Sequence, residues 1–154
     1  MPAVSTATFI QDSVINLRDL LVGADGVTDP VTSGRPANSR FVVTSYPHRD
    51  VFYPIITVKV LGPSETRRLG MRSEGFWTKV DFEVRIWAKD VKQCDDLTQQ
   101  AFDALRDEQL TASTGTVALS MFGLTVTSTI EVNEDGVGGI KSKILNGFNY
   151  LTLS

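Results

Sequence analysis

The chain is 154 residues long, 42% hydrophobic and 21% charged, with a formal net charge of −3. That length suits one domain over 1–154, and the composition is globular rather than disordered. A single cysteine (Cys94) excludes an internal disulfide framework, a single histidine (His48) leaves no His-based zinc site, and no apolar run reaches the roughly 18 residues of a membrane helix.

The first periodic segment is Thr8–Val22, with Ile10, Val14, Leu17 and Leu21 on one helical stripe and Leu20 beside it. Thr8 and Gln11 have the spacing of a capping box, in which each side chain satisfies an orphan backbone N–H. Gly23 is placed to end the helix. Residues 23–39, GADGVTDPVTSGRPANS, are rich in turn-forming types and predict a long loop. A loop of that length commonly shapes a binding or interface surface.

Strands follow. Residues 41–46 open with Phe41-Val42-Val43. In 55–61, Ile56, Val58 and Val60 alternate with Thr57 and Lys59, and Pro54 stands at the start, where a missing N–H is tolerated. In 77–89, Val80, Phe82, Val84, Ile86 and Ala88 alternate with Lys79, Asp81, Glu83, Arg85, Trp87 and Lys89. Period two with one polar face marks an antiparallel sheet packed on one side. Between the last two strands, residues 62–75 (GPSETRRLGMRSEG) predict a protruding hairpin arm whose flanks extend the two strands; too little of it is apolar to be held by a core, so mobility in an isolated subunit is expected.

A second helix spans 91–108, with Asp90 and Gln93 as its capping pair and Cys94, Leu97, Ala101 and Leu105 as its stripe, Phe102 and Val91 alongside. Strands resume at 124–132 and 140–153, separated by the Gly-rich turn before Ile140; Gly147 is a predicted bulge. The expected fold is α+β: a mostly antiparallel sheet of four or more strands, two helices packed on one face and a long hairpin arm.

Catalytic equipment is sparse. Asp95-Asp96 and Glu134-Asp135 are adjacent pairs that do not face one another on a helix or strand, and they read as a solvated helix face and a turn. His48, near Asp50, lacks a nucleophile elbow or ligand cluster and reads as a loop histidine. Cys94 lies on an apolar stripe and reads as a buried, inert thiol. Gly136-Val137-Gly138-Gly139 lacks phosphate-loop spacing and precedes a strand. No catalytic, cofactor-binding or metal-binding residue is assigned, and no enzyme activity is expected. Met1–Ser5 carries neither a basic stretch nor an apolar one, so the expectation is a soluble protein with no secretory leader and no membrane association.

Charge is unevenly spread. Residues 40–89 hold nine Lys/Arg against five Asp/Glu, whereas 90–108 hold six acids against Lys92 and Arg106. Such blocks suit complementary patches between subunits or two differently solvated faces of one monomer. The candidate interface residues are Arg67, Arg68, Arg72 and Glu74 in the arm, Trp87 on the polar strand face, and Asp95, Asp96, Asp103 and Asp107 on the acidic helix. A large aromatic among charged residues suits contact with a partner. The overall charge is acidic, unlike that of a sequence-specific nucleic-acid binder.

The order of these parts resembles the tail terminator (tail-completion) proteins of long-tailed bacteriophages and archaeal tailed viruses. The resemblance rests on the helix at 8–22, the run Tyr53-Pro54-Ile55-Ile56-Thr57-Val58, the Arg/Gly-rich arm at 65–75, and Val80-Asp81-Phe82-Glu83-Val84-Arg85-Ile86-Trp87-Ala88 leading into the acidic helix. The loop at 23–39 and the turn at 136–139 have no counterpart in it. It implies a virion protein of the tail and neck, assembled in the host cytoplasm, that forms a hexameric ring. The implied partners are further copies of the chain, the tail-tube protein and a head-side connector or neck protein. DNA would pass through the lumen without being read. Two alternatives remain open: another neck component (a head-completion or adaptor protein), and a small α+β binding module.

Overall fold

A computed structural model describes residues 8–45, 51–68, 76–112, 121–134 and 139–153. Its elements, in chain order, are α1 (Phe9–Val22), β1 (Val42–Val43), β2 (Ile55–Arg68), β3 (Phe76–Ala88), α2 (Val91–Ala112), β4 (Met121–Glu134) and β5 (Ile140–Leu153), with a 3-10 turn at Thr32–Gly34. The strands form one five-stranded sheet in the order β1-β2-β3-β5-β4. Every pairing is antiparallel except β1 with β2. The fold is α+β, with both helices on one face of the sheet.

Period-two patterning puts Phe82, Val84, Ile86 and Ala88 of β3 on the helix side with Ile56 and Val58 of β2 and Leu145 of β5. Leu17 and Leu21 of α1 and Cys94, Leu97, Ala101 and Leu105 of α2 close over them in one cluster. Each fully buried Leu, Ile or Phe there contributes about 2 kcal/mol. Three residues of the expected stripes lie outside this core. Ile10 stands 41% exposed in the first turn of α1, Val14 is half-buried, and Val91 is exposed at the start of α2. Ser13 and Asn16 of α1 are buried instead.

The caps divide. At α2 the Gln93 N–H donates to Asp90 Oδ2 at 3.1 Å, as the spacing predicts. At α1 the expected capping box does not form: Thr8 makes no side-chain cap, and its hydroxyl donates to Asp12 Oδ2 at 2.8 Å. The Thr8 ψ of 20° lies outside the extended region from which a cap hydroxyl reaches the helix N–H groups. Gly23 does end α1, its N–H donating to Asp19 O at 3.0 Å, but at a negative φ of −61°. The glycine that sterics demand is Gly26, where a Cβ would meet the Leu21 carbonyl oxygen at 2.2 Å.

Several boundaries move. Of the first strand, expected at 41–46, regular pairing among the described residues covers Val42–Val43, and residue 46 lies outside them. The strands expected at 77–89 and 124–132 run 76–88 and 121–134, and α2 continues to Ala112 rather than ending at 108. In the arm the flank extends the strand, as the hairpin reading expects: β2 runs past residue 61 to Arg68, so the first half of the 62–75 segment is paired strand. β3 at that end is in turn paired with β5, Phe76 opposite Leu153, so a third strand backs the hairpin. Backbone hydrogen bonding to both sides of β3 holds the arm where side-chain burial alone predicts none. Residues 69–75 lie outside the described residues.

Gly147 is not the bulge residue. It pairs in unbroken register with Phe82 and lies opposite Val126, while the extra residue, Thr127, is in β4. The other irregularities are also in β2 and β4, at Leu61, Ser64 and Gly123. A strand paired on both sides cannot take an extra residue without breaking two registers, so bulges go to the margins.

Candidate interaction surfaces

The helix-free face of the sheet carries the polar half of β3. Strand register lines up Lys59, Glu83 and Asn146; then Thr57, Arg85 and Ile144; then Ile55, Trp87 and Ser142. This face is less wet than alternation alone predicts. Ile55, Ser142 and Ile144 are buried, and the charged residues of β3 are half-buried. Their stems lie along the apolar surface while their heads pair with one another. Arg85 pairs with Glu83 at 3.6 Å and Lys79 with Asp81 at 4.0 Å; Lys79 Nζ also sits 4.5 Å from the centroid of the Phe148 ring. Trp87 meets the Arg85 guanidinium at 5.0 Å and donates its indole N–H to Thr57 Oγ1 at 3.3 Å. These contacts within the chain account for much of the placement of Trp87, a role that the polar character of its strand face does not reveal.

The acidic candidates share one side of α2. At 100° per residue Asp95, Asp96, Asp103 and Asp107 fall within an arc of about 120°, opposite the buried stripe. Their surroundings differ. Asp95 is in an ion pair with Lys143 of β5. Asp103 accepts two hydrogen bonds from Gln99 at 3.1 Å and faces Arg106 at 3.6 Å. Asp96 is exposed, with no hydrogen-bond or ion-pair partner among the described residues, in a small notch with Thr28 and Lys92.

The basic candidates lie at the far end of the sheet. Arg67 and Arg68 end β2, opposite Trp77 and Phe76. Arg72 and Glu74 lie outside the described residues, as does His48. Lys143, the partner of Asp95, stands opposite Ile86, nine residues along β3 from Trp77. At 3.3–3.4 Å per residue that is about 30 Å. Arg67 and Arg68 and the acids at the α2 N-terminus are therefore not brought together within one subunit.

The 23–41 segment holds residues that the sequence did not single out. Arg35, its side chain 6% exposed, donates two hydrogen bonds to the Asp29 carboxylate and one each to the carbonyl oxygens of Phe52 (3.0 Å) and Pro54 (2.6 Å). The guanidinium also lies over the rings of Phe41 and Phe52 at 5.2 and 5.3 Å. Burial pushes the Asp29 carboxyl upward, but the hydrogen bond from Arg35, the Val31 N–H and the guanidinium charge together hold it below its ordinary value. This clasp ties a loop without strand or α-helix to the start of β2. The only hint in sequence is an Asp and an Arg six residues apart in a turn-rich tract. Between this loop, the end of α1 and β1 lies a groove of about 630 Å³.

Among the described residues no three His, Cys, Asp or Glu side chains come together as a metal site. Cys94 is buried, its thiol 3.9 Å from the Ile86 carbonyl oxygen. Among the described residues no helix is long and apolar enough to cross a membrane. No family model and no curated protein matches the sequence.

Proposed function

We propose that this protein is a structural subunit that joins copies of itself head to tail into a closed ring, and that the ring is a tail terminator. It caps the head-proximal end of a viral tail tube. One ring face occupies the position where the next tube subunit would add, so elongation ends; the other face meets the head-side connector. DNA passes through the lumen. The action is steric and interfacial, with no covalent step.

The observation that carries this reading is that the basic end of β2, Arg67 and Arg68, lies far along the sheet from the first acids of α2. A head-to-tail contact needs two different patches on one subunit, and such contacts close into rings when the rotation allows. Arg67 and Arg68 stand about 30 Å from the start of α2, where Lys143 already pairs with Asp95 and exposed Asp96 has no partner among the described residues. Between adjacent copies the two ends can meet. Strand edges supply a second element. The outer edge of β4, and that of β2 beyond Thr57, have no partner strand among the described residues, and such edges are templates for pairing with another chain.

Mass photometry tests the reading. A hexamer of 16.9 kDa subunits gives a particle of about 100 kDa. The triple variant Arg67→Glu, Arg68→Glu, Arg72→Glu is expected to yield single subunits. Intact rings in that variant would refute the charge pairing, and a lone subunit for the natural chain, with no affinity for tail-tube protein, would refute the ring itself.

A further inference from the structure

We propose that the groove between the C-terminal end of α1 and the 23–42 segment is a docking site for an extended peptide of a partner protein, in which an apolar side chain stands beside a single carboxylate. The inference is independent of the ring. It rests on shape, lining, charge and the way the walls are held.

The groove measures about 630 Å³, within the range of about 300–1,000 Å³ typical of ligand sites. It is a partly open groove, neither sealed nor flat. Such a groove admits a chain passing through it, whereas a small metabolite binds where most of its surface is enclosed. The floor is apolar: Val27 and Val42 are buried, and Phe41 is half-buried beside them. At the lip stands Val22, 61% exposed. Val22 adds exposed apolar surface beside that floor for a partner's apolar side chain to cover.

The charges at the groove select the ligand. Arg18 and Asp19 pair with each other at 2.9 Å. Asp29 is taken by Arg35. Arg40 alone is exposed with no hydrogen-bond or ion-pair partner among the described residues. The groove is left with one uncompensated positive charge next to an apolar floor, and its complement is one carboxylate next to an apolar group.

The walls are fixed before anything binds. Val27 N–H donates to Leu21 O at 2.8 Å, an approach that only a glycine at position 26 permits. The Arg35 clasp fixes the rest of the loop from below. A site whose loop is already ordered spends little binding energy on ordering it.

Fluorescence polarisation with two labelled, capped peptides, Leu-Leu-Glu-Leu and Leu-Leu-Gln-Leu, tests the proposal on the full chain. The acidic peptide is expected to bind saturably and about fivefold more tightly than the neutral one, the scale of one exposed ion pair. Arg40→Ala should erase that preference and leave weak binding of both. Val22→Ser should weaken both. Both positions are exposed, so the fold is expected to persist, with circular dichroism as the check. Absence of saturable binding would overturn the proposal, as would an acid preference that survives Arg40→Ala. Binding that emerges only when the protein is diluted would assign the groove to a second copy of the chain, and that also overturns it.

Discussion

Replacing Arg35 with alanine tests whether the clasp, rather than the hydrophobic core, orders the 23–41 loop. The substitution deletes two hydrogen bonds to Asp29 and one to each of two backbone carbonyls. The larger effect is to strand the Asp29 carboxylate, whose side chain is 14% exposed. Breaking a buried pair from one side costs about 3–5 kcal/mol, a large fraction of the roughly 5–15 kcal/mol that holds a domain folded. Asp29→Ala should cost less, about 2 kcal/mol, because Arg35 keeps its two carbonyl acceptors. The double change Arg35→Ala with Asp29→Ala should cost less than the sum of the single changes by at least about 1 kcal/mol. Urea unfolding followed by tryptophan fluorescence, at one protein concentration, reads all three. The pH dependence gives a separate readout. A carboxyl held below its unfolded value stabilises the fold above that value, and the contribution fades as pH falls through the lower folded value. The gap between the natural chain and Arg35→Ala should therefore narrow below about pH 4. A cost under about 1 kcal/mol for Arg35→Ala, or a gap that does not change with pH, would refute the reasoning.

Gly26→Ala should destabilise by at least about 2 kcal/mol, since its Cβ would fall inside contact distance of the Leu21 carbonyl; Gly34→Ala, with nothing within 4 Å, should stay within about 0.5 kcal/mol in the same thermal scan. Phe82→Ala removes the largest fully buried side chain among the described residues and should cost about 3–5 kcal/mol in urea unfolding. Trp87→Phe should cost about 1 kcal/mol through the lost bond to Thr57, measured alongside it. Cys94 should react with a thiol reagent at least about a hundredfold more slowly in the folded chain than in urea, because labelling requires the core to open.

What was legible in the sequence is what periodicity carries. The alternation from Val80 to Ala88 gave the helix-facing side of the central strand, and the spacing of Cys94, Leu97, Ala101 and Leu105 gave the buried stripe of α2. Those signals are strong because each residue faces the core for the same reason as its neighbours. Where backbone pairing governs, the pattern is silent. Residues 62–68 carry too few apolar side chains to show how far strand pairing runs into the hairpin arm; β3 offers the hydrogen-bonding edge that carries it to Arg68. The bulge near Gly147 was foreseen at the right place on the wrong strand, since glycine marks the spot while sheet position decides which chain yields. The groove was invisible because its parts are scattered: Val22 ends a helix, Arg40 and Phe41 precede a strand, and the residue that fixes the wall, Arg35, touches carbonyls 17 and 19 residues away.

The uninterrupted thirteen-pair ladder from Phe76 opposite Leu153 to Ala88 opposite Lys141 has a bearing on how this molecule tolerates change. Irregularities confined to the flanking strands act like expansion joints: residues inserted or lost there alter local curl while the spine keeps its alignment. Slow amide deuteration should concentrate along that spine and fall away toward both flanks. A lineage of such chains is then free to reshape its margins, where neighbours would attach, without having to reinvent its centre.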